Sequence, residues 1–298
     1  MTPEARALVE SAAALGGESP WRLALARFAA NRAALAGVAL LLAITGFAFL
    51  APLLSPHDME ANDWELIQAA PTLAQSHWFG TDANGRDLFV RVAAGARVSL
   101  AIGLITTLVS VVIGVLYGAI AGYVGGRVDQ AMMRVVDVLY ALPLFFAIII
   151  LVTVFGRNIF LVFLAIGAVE WLTIARIVRG QTLAAKQMEY VEAARSLGAP
   201  AIRIVLRHIV PNVVGPVIVF STLLVPTVIL VESFLSFLGL GVQEPQTSWG
   251  LLISQGTASL DSAPWLLVIP AAFLAATMFA FNFIGDGLRD ALDPRDET

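Results

Sequence analysis

VSLAIGLITTLVSVVIGVLYGAIAGYVGG, Val98 to Gly126, runs for 29 residues without a charge between Arg97 and Arg127. About 20 residues of helix cross the hydrocarbon of a bilayer, so this stretch spans it with residues to spare. The same reading extends outward in both directions. Arg32 and Asp58 enclose an apolar body from Ala33 to Leu54, and Asp137 and Arg157 enclose 19 uncharged residues. Residues 158–175 are apolar apart from Glu170, Ile209 to Val231 is free of charge, and Asp261 and Asp286 bracket the last run. The expectation is an all-α membrane protein of six transmembrane helices, at about 33–54, 98–123, 136–155, 158–176, 210–232 and 263–285. A tight hairpin at Gly156-Arg157-Asn158 separates the third from the fourth.

Composition agrees. Of 298 residues, 58% are hydrophobic and 13% charged, about half the charge of a soluble domain. There is no Cys, which excludes disulfides, thiolate metal sites and a Cys nucleophile. Three His (His57, His77, His208) and a net charge of −4 give no support to a His-rich metal site or to nucleic-acid binding. With the N-terminus inside, fourteen of the eighteen Lys and Arg fall on inner segments, so both termini are expected in the cytoplasm. Residues 1–18 read as a flexible cytoplasmic tail. Ser19-Pro20 reads as a helix start, and Trp21, Leu25 and Phe28 at i, i+4 and i+7 suggest an interfacial helix over 19–32, or a plain extension of the first span.

The longest inner connection, residues 177–209, holds KQMEYVEAARSLGAPAIRIVLRHIVPN (Lys186 to Asn212). Tyr190, Val191, Ala194 and Leu197 form one helical stripe, with Glu189, Glu192 and Ser196 opposite, and Glu192 and Arg195 spaced to pair. Gly198 suits a left-handed cap, and Pro200 suits the first turn of a second helix. The product is a helix, a sharp corner and a helix leading through Pro211 into the fifth span.

Glu192-Ala193-Ala194, then Gly198, then His208-Ile209-Val210-Pro211 resembles the EAA motif of ABC importer membrane subunits, at the matching place before the penultimate span. HWFGTDANGRDLFVRVAAGARVSL (His77 to Leu100) and SFLSFLGLGVQEPQTSWG (Ser233 to Gly250) are similar to dipeptide and oligopeptide permease subunits of the DppC/OppC type. The likeness runs from about Ala26 to Arg295. It departs from the family at FVRVAAG around Arg91 and at Glu170-Trp171.

The resemblance implies a type I importer permease fold in the bacterial cytoplasmic (inner) membrane, translocating di- or oligopeptides. It implies a second, different permease subunit, an extracytoplasmic binding protein, and separate ATPase subunits carrying ATP and magnesium. The chain itself has no phosphate-binding G-x-x-x-x-G-K-[ST] loop, and Lys186 is its one Lys, so no cofactor and no catalysis are expected in it. In this reading Glu189, Tyr190, Val191, Glu192, Ala193, Ala194, Arg195, Leu197 and Gly198 form a coupling helix that docks in a groove on the ATPase. Nickel or another small solute is an alternative cargo. An ion-coupled transporter using Glu170 and Glu232 is an alternative class.

Several further expectations follow from the residues alone. Gly114, Gly118 and Gly122 repeat every four residues, a face for close helix packing within the subunit or against a second one. Glu170 is read as a satisfied structural residue near the inner interface, and the role of Glu232 stays open. Asp129, Arg134 and Asp137 read as a solvated charge cluster, and His57 and His77 as exposed loop residues. Gly80 to Asp87 reads as a turn, or as a contact for the binding protein.

Overall fold

Leu88 to Val124 is one helix of 37 residues, about 55 Å long, and the other elements are arranged around it. The computed structural model describes residues 20–155 and 159–292. In chain order the helices are α1 (Pro20–Ala30), α2 (Arg32–Leu54), α3 (Leu88–Val124), α4 (Gly126–Tyr140), α5 (Leu144–Phe155) and α6 (Ile159–Ala185). There follow α7 (Glu189–Ser196), α8 (Ala201–Ile204), a π-helical turn (Val205–Ile209), α9 (Val210–Phe237), α10 (Trp249–Thr257) and α11 (Trp265–Leu292). Among the described residues there is no strand, only one bridge between Thr81 and Asp87.

Four helices among the described residues are long and apolar enough to cross a membrane: Arg32–Leu54, Leu88–Val124, Ala201–Phe237 and Trp265–Leu292. Their outward faces carry large apolar side chains such as Leu42, Leu108 and Val268, each more than half exposed. In water such a surface would aggregate; in hydrocarbon it is at home.

The helix expected over 136–155 is two. Pro143 lacks the N–H that would continue the ladder, and it pushes the residue before it out of helical geometry, so α4 stops at Tyr140 and α5 starts at Leu144. The proposed hairpin at 156–158, the tail 1–18 and Ser19 lie outside the described residues. Asn31 divides α1 from α2: its side-chain oxygen accepts from the Ala33 and Ala34 amides as an N-cap. Residues 20–30 are therefore a separate helix, with Trp21 and Leu25 exposed and Phe28 near Gly287 of α11.

Close packing of α3 on α6 is the most extensive contact between elements. Its cause is the glycine row. A Cβ on Gly114 would stand 2.7 Å from Ile174 Cβ, and one on Gly122 would stand 2.8 Å from Thr182 Cβ; one on Gly118 would strike the Ala175 carbonyl. No larger side chain fits while the backbones stay this close. Lys186 closes the end of the pair by donating to the Tyr123 carbonyl at 2.6 Å, a cation on the last turn of α3.

At the opposite end, Trp249 on α10 is completely buried. Its ring N–H donates to the Val92 carbonyl at 3.2 Å, and its amide donates to Ser99 Oγ at 3.2 Å. This pins α10 to α3, alongside Leu88, Leu100, Ile229, Leu266 and Phe281.

Candidate functional site

The Lys186–Asn212 stretch folds at the end of α3 where Lys186 sits. Met188 precedes α7, whose first turn carries Glu189 and Glu192 and whose last turn carries Arg195, the order a helix dipole favours. The helix then ends in a Schellman cap: the Gly198 amide donates to the Arg195 carbonyl at 3.0 Å and the Ala199 amide donates to the Ala194 carbonyl at 3.1 Å. Gly198 has φ +76°, and a Cβ there would meet nothing. Glycine is thus needed for the backbone turn and not for space.

Beyond the corner, Pro200 occupies the N-cap position of α8, one residue earlier than the first turn. The π turn that follows has its own cause. Pro211 cannot donate to the ladder, and the Val210 amide reaches back five residues to the Val205 carbonyl, widening the coil just before it.

The apolar stripe expected along α7 is divided. Val191 and Ala194 point inward against Ala185, Ile204, Val205 and Ile209. Tyr190 and Leu197 point outward, Leu197 being 87% exposed. Glu189, Glu192, Ala193 and Arg195 are exposed too. Arg195 stands 5.9 Å from the Tyr123 ring. Two buried side chains, one of them Ala, fasten this helix to its own chain, with Arg195 over the Tyr123 ring and Tyr190 beside the His208 ring at its edges, and most of its remaining surface is exposed.

Around the corner lie charge pairs that spacing alone does not reveal. Arg179 of α6 grips Asp129 of α4 through both nitrogens, at 2.5 and 2.6 Å. Arg176 bonds Asp137 at 2.9 Å and stacks over the Tyr140 ring. Of the solvated cluster expected there, Arg134 and Asp137 are exposed, whereas Asp129 is buried and forms a clamp between α4 and α6. The Arg179 hydrogen bond holds the Asp129 carboxyl below the usual carboxylate range.

The far end has a clamp of its own. Asp82 ties to Arg86 at 2.8 Å and to buried Arg91, and Glu244 accepts from Arg86 and from Gln255, each at 2.8 Å. The segment before α3 is thereby bound to the loop before α10 and to α10 itself. Hydrogen bonding from Arg86 holds Glu244 below the ordinary Glu range. A depressed pKa gives stability that is present above the unfolded value, about 4.3, and is lost as pH falls through the lower folded value. The clamp is expected to stay closed at pH 5 and to open only under stronger acid, whereas Glu244→Gln should open it at every pH. Faster amide exchange at residues 82–86 in that variant reports the opening; unchanged exchange would remove Glu244 from the clamp.

Glu232, left open by the sequence, is fully buried, accepting from Ser236 Oγ at 2.6 Å and Ser99 Oγ at 3.5 Å. Glu170 is also buried, with no hydrogen-bond partner among the described residues. His77 is buried as well, not exposed, and donates to Asp87 at 2.8 Å.

Comparison with known proteins places this geometry. Residues 114–296 match the family model described as binding-protein-dependent transport system inner membrane component. Residues 19–71 match that of the N-terminal TM domain of oligopeptide transport permease C. The chain is 56% identical over 280 residues to the oligopeptide transport system permease protein OppC of Escherichia coli K12, covering 94% of this chain and 93% of the relative. It is 44% identical over 279 residues to the dipeptide transport system permease protein DppC of Bacillus subtilis, covering 93% and 85%. It is 42% identical over 278 residues to the glutathione transport system permease protein GsiD of Shigella flexneri, covering 93% and 91%. With all-helical architecture, apolar outward faces and matches of this extent, the chain belongs to the inner membrane components of binding-protein-dependent transport systems, as a permease of the OppC/DppC type.

Proposed function

We propose that this chain is the membrane-spanning subunit of an ATP-driven importer of di- or oligopeptides, and that α7 is where a separate ATPase takes hold of it. The observation that carries the coupling role is the division of α7: Val191 and Ala194 inward, Tyr190, Leu197 and the charged residues outward, behind a rigid glycine corner. Relatives whose names specify oligopeptide, dipeptide and glutathione transport favour peptide cargo over nickel and disfavour an ion-coupled carrier.

In this reading the end of α4 together with α5 makes one further crossing and α6 another, beside the four long apolar helices, and both termini and α7 lie on the cytoplasmic side. A second permease subunit completes the pathway, and an extracytoplasmic binding protein delivers the peptide. ATP and magnesium reside on paired ATPases. Their closure draws the coupling helices together and opens the path outward, and hydrolysis resets it. The chain performs no chemistry, and its own residues transmit displacement.

A pull-down of tagged protein from native membranes in mild detergent tests this. Wild type should recover an ATPase and a sister permease, and a Glu192/Gly198 double substitution should lose the ATPase alone. Equal recovery of the ATPase by both would remove α7 as the docking element.

A further inference from the structure

Residues 55–87 join α2 to α3, and the two ends of that loop meet at a pair of imidazoles. The His57 and His77 rings stack with centroids 4.0 Å apart and planes 14° from parallel. Each is held by an acceptor on one nitrogen. His77 Nδ1 stands 2.8 Å from Asp87 Oδ2, and His57 Nε2 stands 3.1 Å from the Gln75 carbonyl oxygen. Neither acceptor has a proton to give, so in the neutral rings the proton is on Nδ1 of His77 and on Nε2 of His57. The lone pairs are then on His77 Nε2 and His57 Nδ1, which have no hydrogen-bond partner among the described residues. A ring nitrogen fixed by a carboxylate or a backbone carbonyl, with the other left bare, is how metal-ligating imidazoles are prepared.

The surroundings supply charge. One ligand atom each from His57, His77 and Asp87 lies within 4.8 Å of the others. They open on a cavity of about 500 Å³ whose wall also includes Asp63 and Glu65 and no Lys or Arg. Asp63 is fixed there by Gly85, where a Cβ would run into the Asp63 backbone.

We propose that this cavity binds one divalent transition-metal ion of the imidazole-preferring class, Zn²⁺ or Ni²⁺. His57 and His77 are the nitrogen ligands, Asp87 orients His77, and a cavity carboxylate or water completes the shell. Ligand atoms about 2.0–2.1 Å from a tetrahedral ion stand about 3.4 Å from one another. One ligand atom each of His57, His77 and Asp87 already lies within 4.8 Å of the others, and binding requires the half-buried His57 ring to rotate out of the stack so that its lone pair turns toward that of His77. Hard cations such as Mg²⁺ and Ca²⁺ prefer all-oxygen shells and are not held here. The ion would tie His57, close after α2, to His77, and through the His77–Asp87 bond to the residue before α3, closing the loop at its base.

The test uses the full-length chain in detergent, stripped with chelator and titrated with Zn²⁺ and with Ni²⁺ against a chromophoric chelator. One ion per chain is expected, with an absorption-edge spectrum of two imidazoles. His57→Gln keeps a donor for the Gln75 carbonyl but lacks the imidazole, and His57→Ala lacks both; each should weaken binding about tenfold or more. His208→Ala, on the π turn, should bind as wild type does. Melting curves verify that the variants are folded. No saturable binding by wild type overturns the proposal, as does wild-type affinity in both folded His57 variants.

Discussion

Gly198→Asp is expected to reduce ATP-driven peptide uptake to background while the chain still inserts and folds. Gly198 sits at φ +76° in the cap that turns the chain away from α7. An L-residue in that conformation costs about 1–2 kcal/mol, and less for Asp or Asn, which is small against a total stability of about 5–15 kcal/mol. There is open space for the side chain, so no clash adds to the cost. What changes is the surface. A carboxylate appears beside Leu197, the most exposed apolar side chain of the corner, where an ATPase groove would have to desolvate it. Gly198→Asn has nearly the same shape and conformational preference without the charge, and should retain a substantial part of uptake. Uptake measured in reconstituted vesicles, with insertion checked by melting in detergent, separates the two; normal uptake by the Asp variant would sink the coupling role.

Trp249→Ala is expected to lower the stability of the subunit by about 3–5 kcal/mol, the range for deleting a large buried aromatic. Trp249 is fully buried and supplies both the apolar bulk and the hydrogen bonds that hold α10 against α3. Its loss also leaves the Val92 carbonyl without the indole donor and frees Gln255 of α10 from its place beside Arg91 and Glu244. Trp249→Phe keeps much of the volume and loses the ring N–H, so it should cost nearer 1 kcal/mol. Thermal unfolding in detergent gives both values. Similar losses in the two variants would mean that the indole hydrogen bond, not the buried area, holds the joint.

The long apolar elements were legible because charge is so costly in hydrocarbon that its absence marks where the chain crosses. The helix and corner at Glu189–Gly198 were legible because capping chemistry is local: Gly and Pro determine the backbone within a few residues of themselves. The break at Pro143 was equally local, yet the uncharged run around it hid it, since apolarity reports the solvent and not the continuity of the helix.

What escaped the sequence joins residues far apart. Arg91 meets Gln255 only because α3 and α10 come together, and Arg179 meets Asp129 only because α4 and α6 do. The positive-inside count placed these arginines on their segments but not in their partners' hands. His77 looked exposed because nothing nearby in sequence says that the loop folds back over its own base. The α7 stripe was visible as a stripe, but which half would turn inward depended on the α8 turn beneath it.

The continuous coil from Ala201 through the π turn to Phe237 has a mechanical consequence. It is a rod about 55 Å long, with α7 joined at one end through the Gly198 corner and the Glu232–Ser99 bolt near the other. Pivoted near that bolt, the rod turned by about ten degrees sweeps its α7 end through about 8 Å. The prolines along it, Pro211, Pro216 and Pro226, each remove a rung of the ladder, so part of such a stroke is absorbed as bending. In the proposed coupling role the subunit acts as a compliant crank, and stiffening it at Pro216 or Pro226 is expected to alter how much of the stroke arrives.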